Sequence, residues 1–158
     1  MPELPEVETV RRGLVRHFHN RSIIDVELRR EGLRFPFPRD MVKLLVGRSL
    51  INVGRRAKYL LVRLSGDLTW VIHLGMSGHF SLLDSNEKRE STHRYSEGKL
   101  VGEGKHDHVV IHLDDGSRAV FTDPRRFGMM DVVDTNTEHA HRLLNHLGPE
   151  PVSYTHLT

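Results

Sequence analysis

Apolar residues in the first part of the chain recur at steps of three and four: Val7, Val10, Leu14 and Phe18. That spacing lays one stripe along one side of a helix and predicts α-helix over residues 5–18. Pro5 suits the first turn, where a missing N–H has no helical partner to lose. Glu6 and Glu8 stand near its start and Arg11, Arg12, Arg16 and His17 further on, the order a helix dipole favours. Past Arg21 the pattern changes. Residues 23–28 read as a strand, Phe35-Pro36-Phe37-Pro38 interrupts regular structure, and residues 40–46 read as a short helix ended by Gly47. Strand patterns then dominate, over 49–53, 57–64, 68–74, 79–83, 109–113, 118–122 and 129–133. Ser65-Gly66-Asp67 and Asp114-Asp115-Gly116-Ser117 are hairpin turns between neighbouring strands. Residues 84–105, polar and rich in Ser, Glu, Lys and Gly, read as a mobile loop. A second helix is expected over 136–147, with Ala140, Leu143, Leu144 and Leu147 inward and Gly148 past its end. The fold predicted is mainly β with flanking helices: an antiparallel two-sheet β-sandwich with an N-terminal and a C-terminal helix.

Composition narrows the function without fixing it. A chain of 158 residues is long enough for one domain with a real core. Hydrophobic residues make up 37% and charged residues 28%, ordinary for a soluble protein. The net charge of +2 is compatible with nucleic acid but does not demand it, because a local basic face matters more than the total. There is no cysteine, which excludes disulfides and thiolate zinc sites within this chain. No apolar run approaches the ~20 residues of a membrane span, and the charged N-terminus is not a signal peptide, so a cytoplasmic location with no membrane partner is expected. The 12 histidines raise the question of metal binding or phosphate contact. His106 and His108 share a face in strand alternation, but no third ligand is evident, and compositional drift is the favoured reading for most of them.

Chemistry enters at the first residues, Met1-Pro2-Glu3-Leu4-Pro5-Glu6. Removal of Met1 would leave Pro2 with a free secondary amine, and an α-amino group titrates near roughly 7.7–8.0, so a useful fraction is unprotonated at neutral pH. Attack by that amine on a sugar aldehyde carbon gives an iminium, cationic without further protonation and an electron sink. Glu3, next to it, is placed to move protons. Met-Pro starts are common, so this alone is weak. Three further segments strengthen it: Gly54-Arg55-Arg56-Ala57-Lys58-Tyr59-Leu60, His73-Leu74-Gly75-Met76-Ser77-Gly78 and Asp123-Pro124-Arg125-Arg126-Phe127-Gly128.

With the Pro-Glu-Leu-Pro-Glu start, these segments resemble bacterial formamidopyrimidine-DNA glycosylases, in that family's order and approximate spacing, from Met1 to about Pro151. Leu4 favours the oxidised-purine branch over the endonuclease VIII branch. The resemblance implies an amino-terminal catalytic domain over residues 1–151, a non-family tail over 152–158 that reads as a truncation or assembly artefact, and an absent helical DNA-binding domain and zinc finger. It implies a bifunctional glycosylase and abasic-site lyase of base-excision repair, acting as a monomer on duplex DNA that contains formamidopyrimidine, 8-oxoguanine or an abasic site. No cofactor is implied for the chemistry, and the family's structural zinc belongs to the absent finger. By the same resemblance Pro2 is the nucleophile, Glu3 the proton donor and acceptor, and Lys58 a proton donor or phosphate contact.

Met76, Arg125 and Phe127 match the family's void-filling set, and His106 a phosphate contact. Met and Phe can wedge into the gap left by an extruded base, and Arg can bond the orphaned partner's edge. Each has a plainer reading, as packing for Met76 and Phe127 or as an edge charge for Lys58, but the first two sit in loop-tip contexts. Glu6 is read as structural. Arg55, Arg56 and Arg126 are open between steering charges and internal ion pairs. Rival functions are a non-catalytic, weakly DNA-binding fragment, an endonuclease VIII-like glycosylase for oxidised pyrimidines, and an N-terminal-proline tautomerase.

Overall fold

The structure is a computed structural model that describes residues 4–84, 89–91, 106–140 and 153–156. Helix α1, Leu4–Phe18, is followed by strand β1, Ile23–Leu28, and a short helix α2, Met41–Leu45. Strands β2 to β9 follow in order: Leu50–Arg56, Tyr59–Leu64, Leu68–His73, His79–Leu83, Arg89–Ser91, Asp107–Leu113, Arg118–Thr122 and Met129–Asp134. A 3-10 helix, Thr135–Ala140, and strand β10, Ser153–His156, complete the described elements.

The strands form two antiparallel five-stranded sheets, ordered β1-β7-β8-β5-β6 and β10-β2-β3-β4-β9. Alternation decides what each buries. Along β3, Leu60, Val62 and Leu64 enter the main core, while Tyr59 and Leu61 join Val71 in a smaller cluster on the other face of that sheet. Between the sheets Trp70, Phe80 and Phe121 meet edge to face, with ring centroids 6.4 and 5.2 Å apart. The stripe of α1 is wholly inward: Val7, Val10, Leu14 and Phe18 are each no more than 1% exposed.

The expected sandwich and amino-terminal helix are therefore present, with differences at the edges. Strand β2 runs on to Arg56, and Ala57, expected inside a strand, stands in the turn at φ 51°. Part of the expected 84–105 loop is strand: β6 pairs with β5 at the edge of the first sheet. The remainder of that loop lies outside the described residues. Of the expected helix over 136–147, residues 141–147 lie outside them too, and the part described is the 3-10 turn. Residues 153–156, given no structure by the sequence pattern, pair with β2 in the register Ser153↔Arg55 to His156↔Asn52.

Candidate nucleic-acid interface

One register row builds the site. Across the second sheet Arg56 faces Tyr59, Tyr59 faces His73, and His73 faces Met129. The β2–β3 turn with Lys58, the end of β4 and the start of β9 therefore share one end of that sheet. In the first sheet His79 faces Thr122, which faces Asp107, so β5 starts where β8 ends and β7 begins, with His106 just before it. Two links join these ends by crossing between the sheets: residues 74–78 from β4 to β5, and residues 123–128 from β8 to β9. The fold thus gathers Lys58, Met76, His106, Arg125 and Phe127 at one end of the sandwich. Pro2 and Glu3 lie outside the described residues.

The two links are built to touch. Gly75 has φ +66°, and a Cβ there would lie 2.5 Å from the Gly128 nitrogen and 2.6 Å from the Phe127 carbonyl carbon. A side chain is therefore excluded by both conformation and contact. Beneath them sits Asp123, fully buried, whose carboxylate serves both links. Its Oδ1 accepts from Ser77 Oγ at 2.7 Å and from the Arg126 N–H at 3.1 Å, and its Oδ2 accepts from the Gly128 N–H at 2.9 Å. Ser77 Oγ in turn accepts from the Arg125 N–H at 3.1 Å. The Asp123 carbonyl receives a bond from Nε2 of buried His108 at 2.8 Å, and its N–H donates to the His106 carbonyl at 3.0 Å.

On this rigid base the tips are exposed. Met76 is 46% and Phe127 43% exposed. Both line a cleft of about 280 Å³ together with Arg34, Tyr59, His73, Gly75 and Met129. The Arg125 guanidinium carbon lies 5.0 Å from the centre of the Phe127 ring, a cation–π contact that aligns the two. A wider cleft of about 580 Å³ lies along the 29–36 segment, where Arg29, Arg30, Arg34 and Arg126 line it and Glu31 is the acid among them. Lys58 and Arg34 both act on His73: burial first, then these two charges, hold its imidazole below the ordinary range.

Helix α1 is fastened to the same end. Glu8 accepts from Arg11 at 2.6 Å, from Arg12 at 3.1 Å and from Arg55 Nε at 3.2 Å. Arg55 also donates to the carbonyl of Ala57, beside Lys58, and buried Arg11 donates to the carbonyl of Val53. The Arg11 bond above all, with Arg55 and Arg12 adding to it against the cost of burial, lowers the Glu8 carboxyl from 4.5 to about 2. Arg55 is thus an internal ion-pair partner. The sequence pattern placed Glu8 only in relation to the helix dipole and left Asp123 and His73 without individual roles; an Asp before Pro between a strand and two arginines reads as a turn, not a buried hub.

Fold and site define a class: a β-sandwich whose two inter-sheet links carry exposed apolar tips, Met76 and Phe127, beside an arginine-lined cleft. The family model for the formamidopyrimidine-DNA glycosylase N-terminal domain matches residues 1–130. Formamidopyrimidine-DNA glycosylase of Agrobacterium fabrum is 48% identical over 157 residues, covering 96% of this chain and 52% of that protein. The protein of that name from Ruegeria pomeroyi is 47% identical over 152 residues, with the same coverage. Among solved structures, Lactococcus lactis Fpg (MutM) with Fapy-dG-containing DNA superposes at a TM-score of 0.70, with 27% identity over 89% of this chain and 48% of that one. The same enzyme with abasic-site DNA gives 0.71, with 27% identity over 90% and 48%. The chain belongs to the formamidopyrimidine-DNA glycosylase family. It spans about half the length of the curated relatives it matches.

Proposed function

We propose that the chain carries the amine chemistry of a DNA glycosylase of base-excision repair, with an abasic-site lyase activity, directed at oxidised purines such as formamidopyrimidine and 8-oxoguanine in duplex DNA. The observation that carries this is the convergence of Lys58, Met76, Arg125 and Phe127 on one end of the sandwich, with α1 fastened to the Lys58 hairpin by Glu8 and Arg55.

In this reading, removal of Met1 frees the Pro2 amine, which attacks C1′ of the lesion nucleotide. The C1′–base bond breaks, the base leaves with its electron pair, and the proton lost from the proline nitrogen neutralises it. Glu3 protonates the sugar ring oxygen as the ring opens, and the C1′=N⁺ iminium stores the positive charge. Loss of a proton next to the iminium then expels the 3′ phosphate, and a second elimination expels the 5′ phosphate. Lys58 supplies a proton or holds a phosphate during these steps. Met76 and Phe127 fill the gap left by the extruded nucleotide, Arg125 occupies the orphaned partner base, and His106 contacts a phosphate.

Borohydride trapping on abasic DNA, run beside an intact mass of the protein, tests the nucleophile. Processed protein is expected to form a stable adduct and Pro2→Gly to lose most of it. Equal trapping by Met1-retaining protein would remove Pro2 from the mechanism. Glu3→Gln should impair base excision more than the lyase step on a preformed abasic site. The span of only half the relatives' length supports a second reading, in which this chain alone is a weak binder that lacks excision activity; adducts without excision of 8-oxoguanine would favour it.

A further inference from the structure

His73 ends β4 and is 6% exposed, yet it is neither a core hydrophobe nor part of the chemistry above. Its Nδ1 accepts the Gly75 N–H at 3.0 Å. The Gly75 backbone is where the two inter-sheet links come into contact, and Met76 is the next residue. From this geometry we infer that His73 is a positioning residue for the Met76 tip: through Nδ1 it holds the Gly75 amide and so fixes the 74–78 link against the 123–128 link. The inference rests on the wedge reading of Met76 given above.

An imidazole nitrogen accepts only when it carries no proton, so the bond places the ring proton on Nε2. The Tyr59 ring meets the imidazole edge-on, centroids 4.8 Å apart, and holds its plane. The groups facing it agree in sign. Lys58 comes from the β2–β3 turn and Arg34 from the 29–36 segment, Tyr59 from β3 is a phenol, and β9 contributes Met129. Among the described residues no carboxylate is counted with them. Burial and the two cations keep the ring neutral, and protonating Nδ1 would set a donor against the Gly75 donor. The bond also has a recognisable logic. A δ-position acceptor bonding the backbone N–H two residues on is what an Asn side chain does in an Asx-turn.

That analogy supplies the test. In the 158-residue chain, His73→Asn retains a δ-position acceptor, whereas His73→Gln moves its acceptor one bond further out. Amide exchange at Gly75 is expected to stay within about threefold of wild type in the Asn variant and to accelerate about tenfold or more in the Gln variant. The fluorescence change of a 2-aminopurine placed opposite an abasic site, a report of wedge insertion, should follow the same order. Equal exchange in wild type and Gln, or an Asn variant as fast as Gln, would overturn the inference. If either variant misfolds, the nitrogen shifts of the wild-type ring decide, since a proton on Nδ1 excludes the bond. Wild-type protein that protects Gly75 but gives no fluorescence change on DNA would leave the tether standing and remove the wedge reading.

Discussion

Asp123 shows how much one buried carboxylate can organise. Three N–H or O–H donors from two links converge on its oxygens, and its peptide group ties in His106 and His108. Asp123→Asn presents an NH₂ where one donor now points, leaving a buried donor unpaired at a cost of about 2–3 kcal/mol. Urea denaturation should show that loss, and binding to abasic DNA should fall with it, because both tips stand on this base. Nothing local in the sequence marks such a residue. Two of its donors, the Arg126 and Gly128 amides, are local, but the third, Ser77, lies 46 positions away, and only the pairing of distant strands brings it in. Met76 and Phe127 were more legible, because a large apolar residue flanked by glycine or arginine does not fit a core pattern.

Among elements, the strands were legible from alternation because one face of each packs on the other sheet and the other face does not. The departures have physical causes. Ala57 adopts a positive φ that its side chain disfavours, so no propensity points to a turn there. Strands β6 and β10 are short edge strands held by pairing with a neighbour, a non-local fact. The helix α1 was evident from its stripe, but not its fastening, since Glu8 and Arg55 are 47 residues apart.

Glu8→Gln should cost about 2–3 kcal/mol at neutral pH, because it strips the charge partner from buried Arg11. The sign of the pH dependence follows. Glu8 has a folded pKa below its unfolded one, so its contribution is complete above about 4.5 and is lost as pH falls toward about 2. His73 and His108 are also lowered, both by burial first, so the folded state resists their protonation and stability falls once pH drops below the ordinary 6.5. Thermal unfolding across pH should decline in two stages, the first absent from a His73→Asn, His108→Asn double variant and the second reduced in Glu8→Gln, with Asp115, also held low, contributing the remainder.

At the scale of the whole molecule, the chain spans about half the length of the relatives it matches, and the phosphate contacts proposed among the described residues lie at one end of the sandwich. Binding to abasic duplex should therefore be weak. Against a full-length relative, the slope of log affinity on log salt should be shallower by roughly 0.9 for each phosphate contact not made. Fluorescence anisotropy across a salt series measures this, and a slope equal to the relative's would show that one domain makes all the contacts.

Because both links proposed to bear the wedge cross from one sheet to the other, a duplex pressing on Met76 or Phe127 would load the two sheets at once. A hairpin tip in the same place would bend about a single pair of strands. Here recoil would require the sheets to shear across Trp70, Phe80 and Phe121, and close-packed interiors yield little to such displacement. On the proposed function the tip would act as a stiff chisel set in a block, and in a collision with stacked bases the softer body would be the DNA, whose steps unstack for a few kcal/mol each.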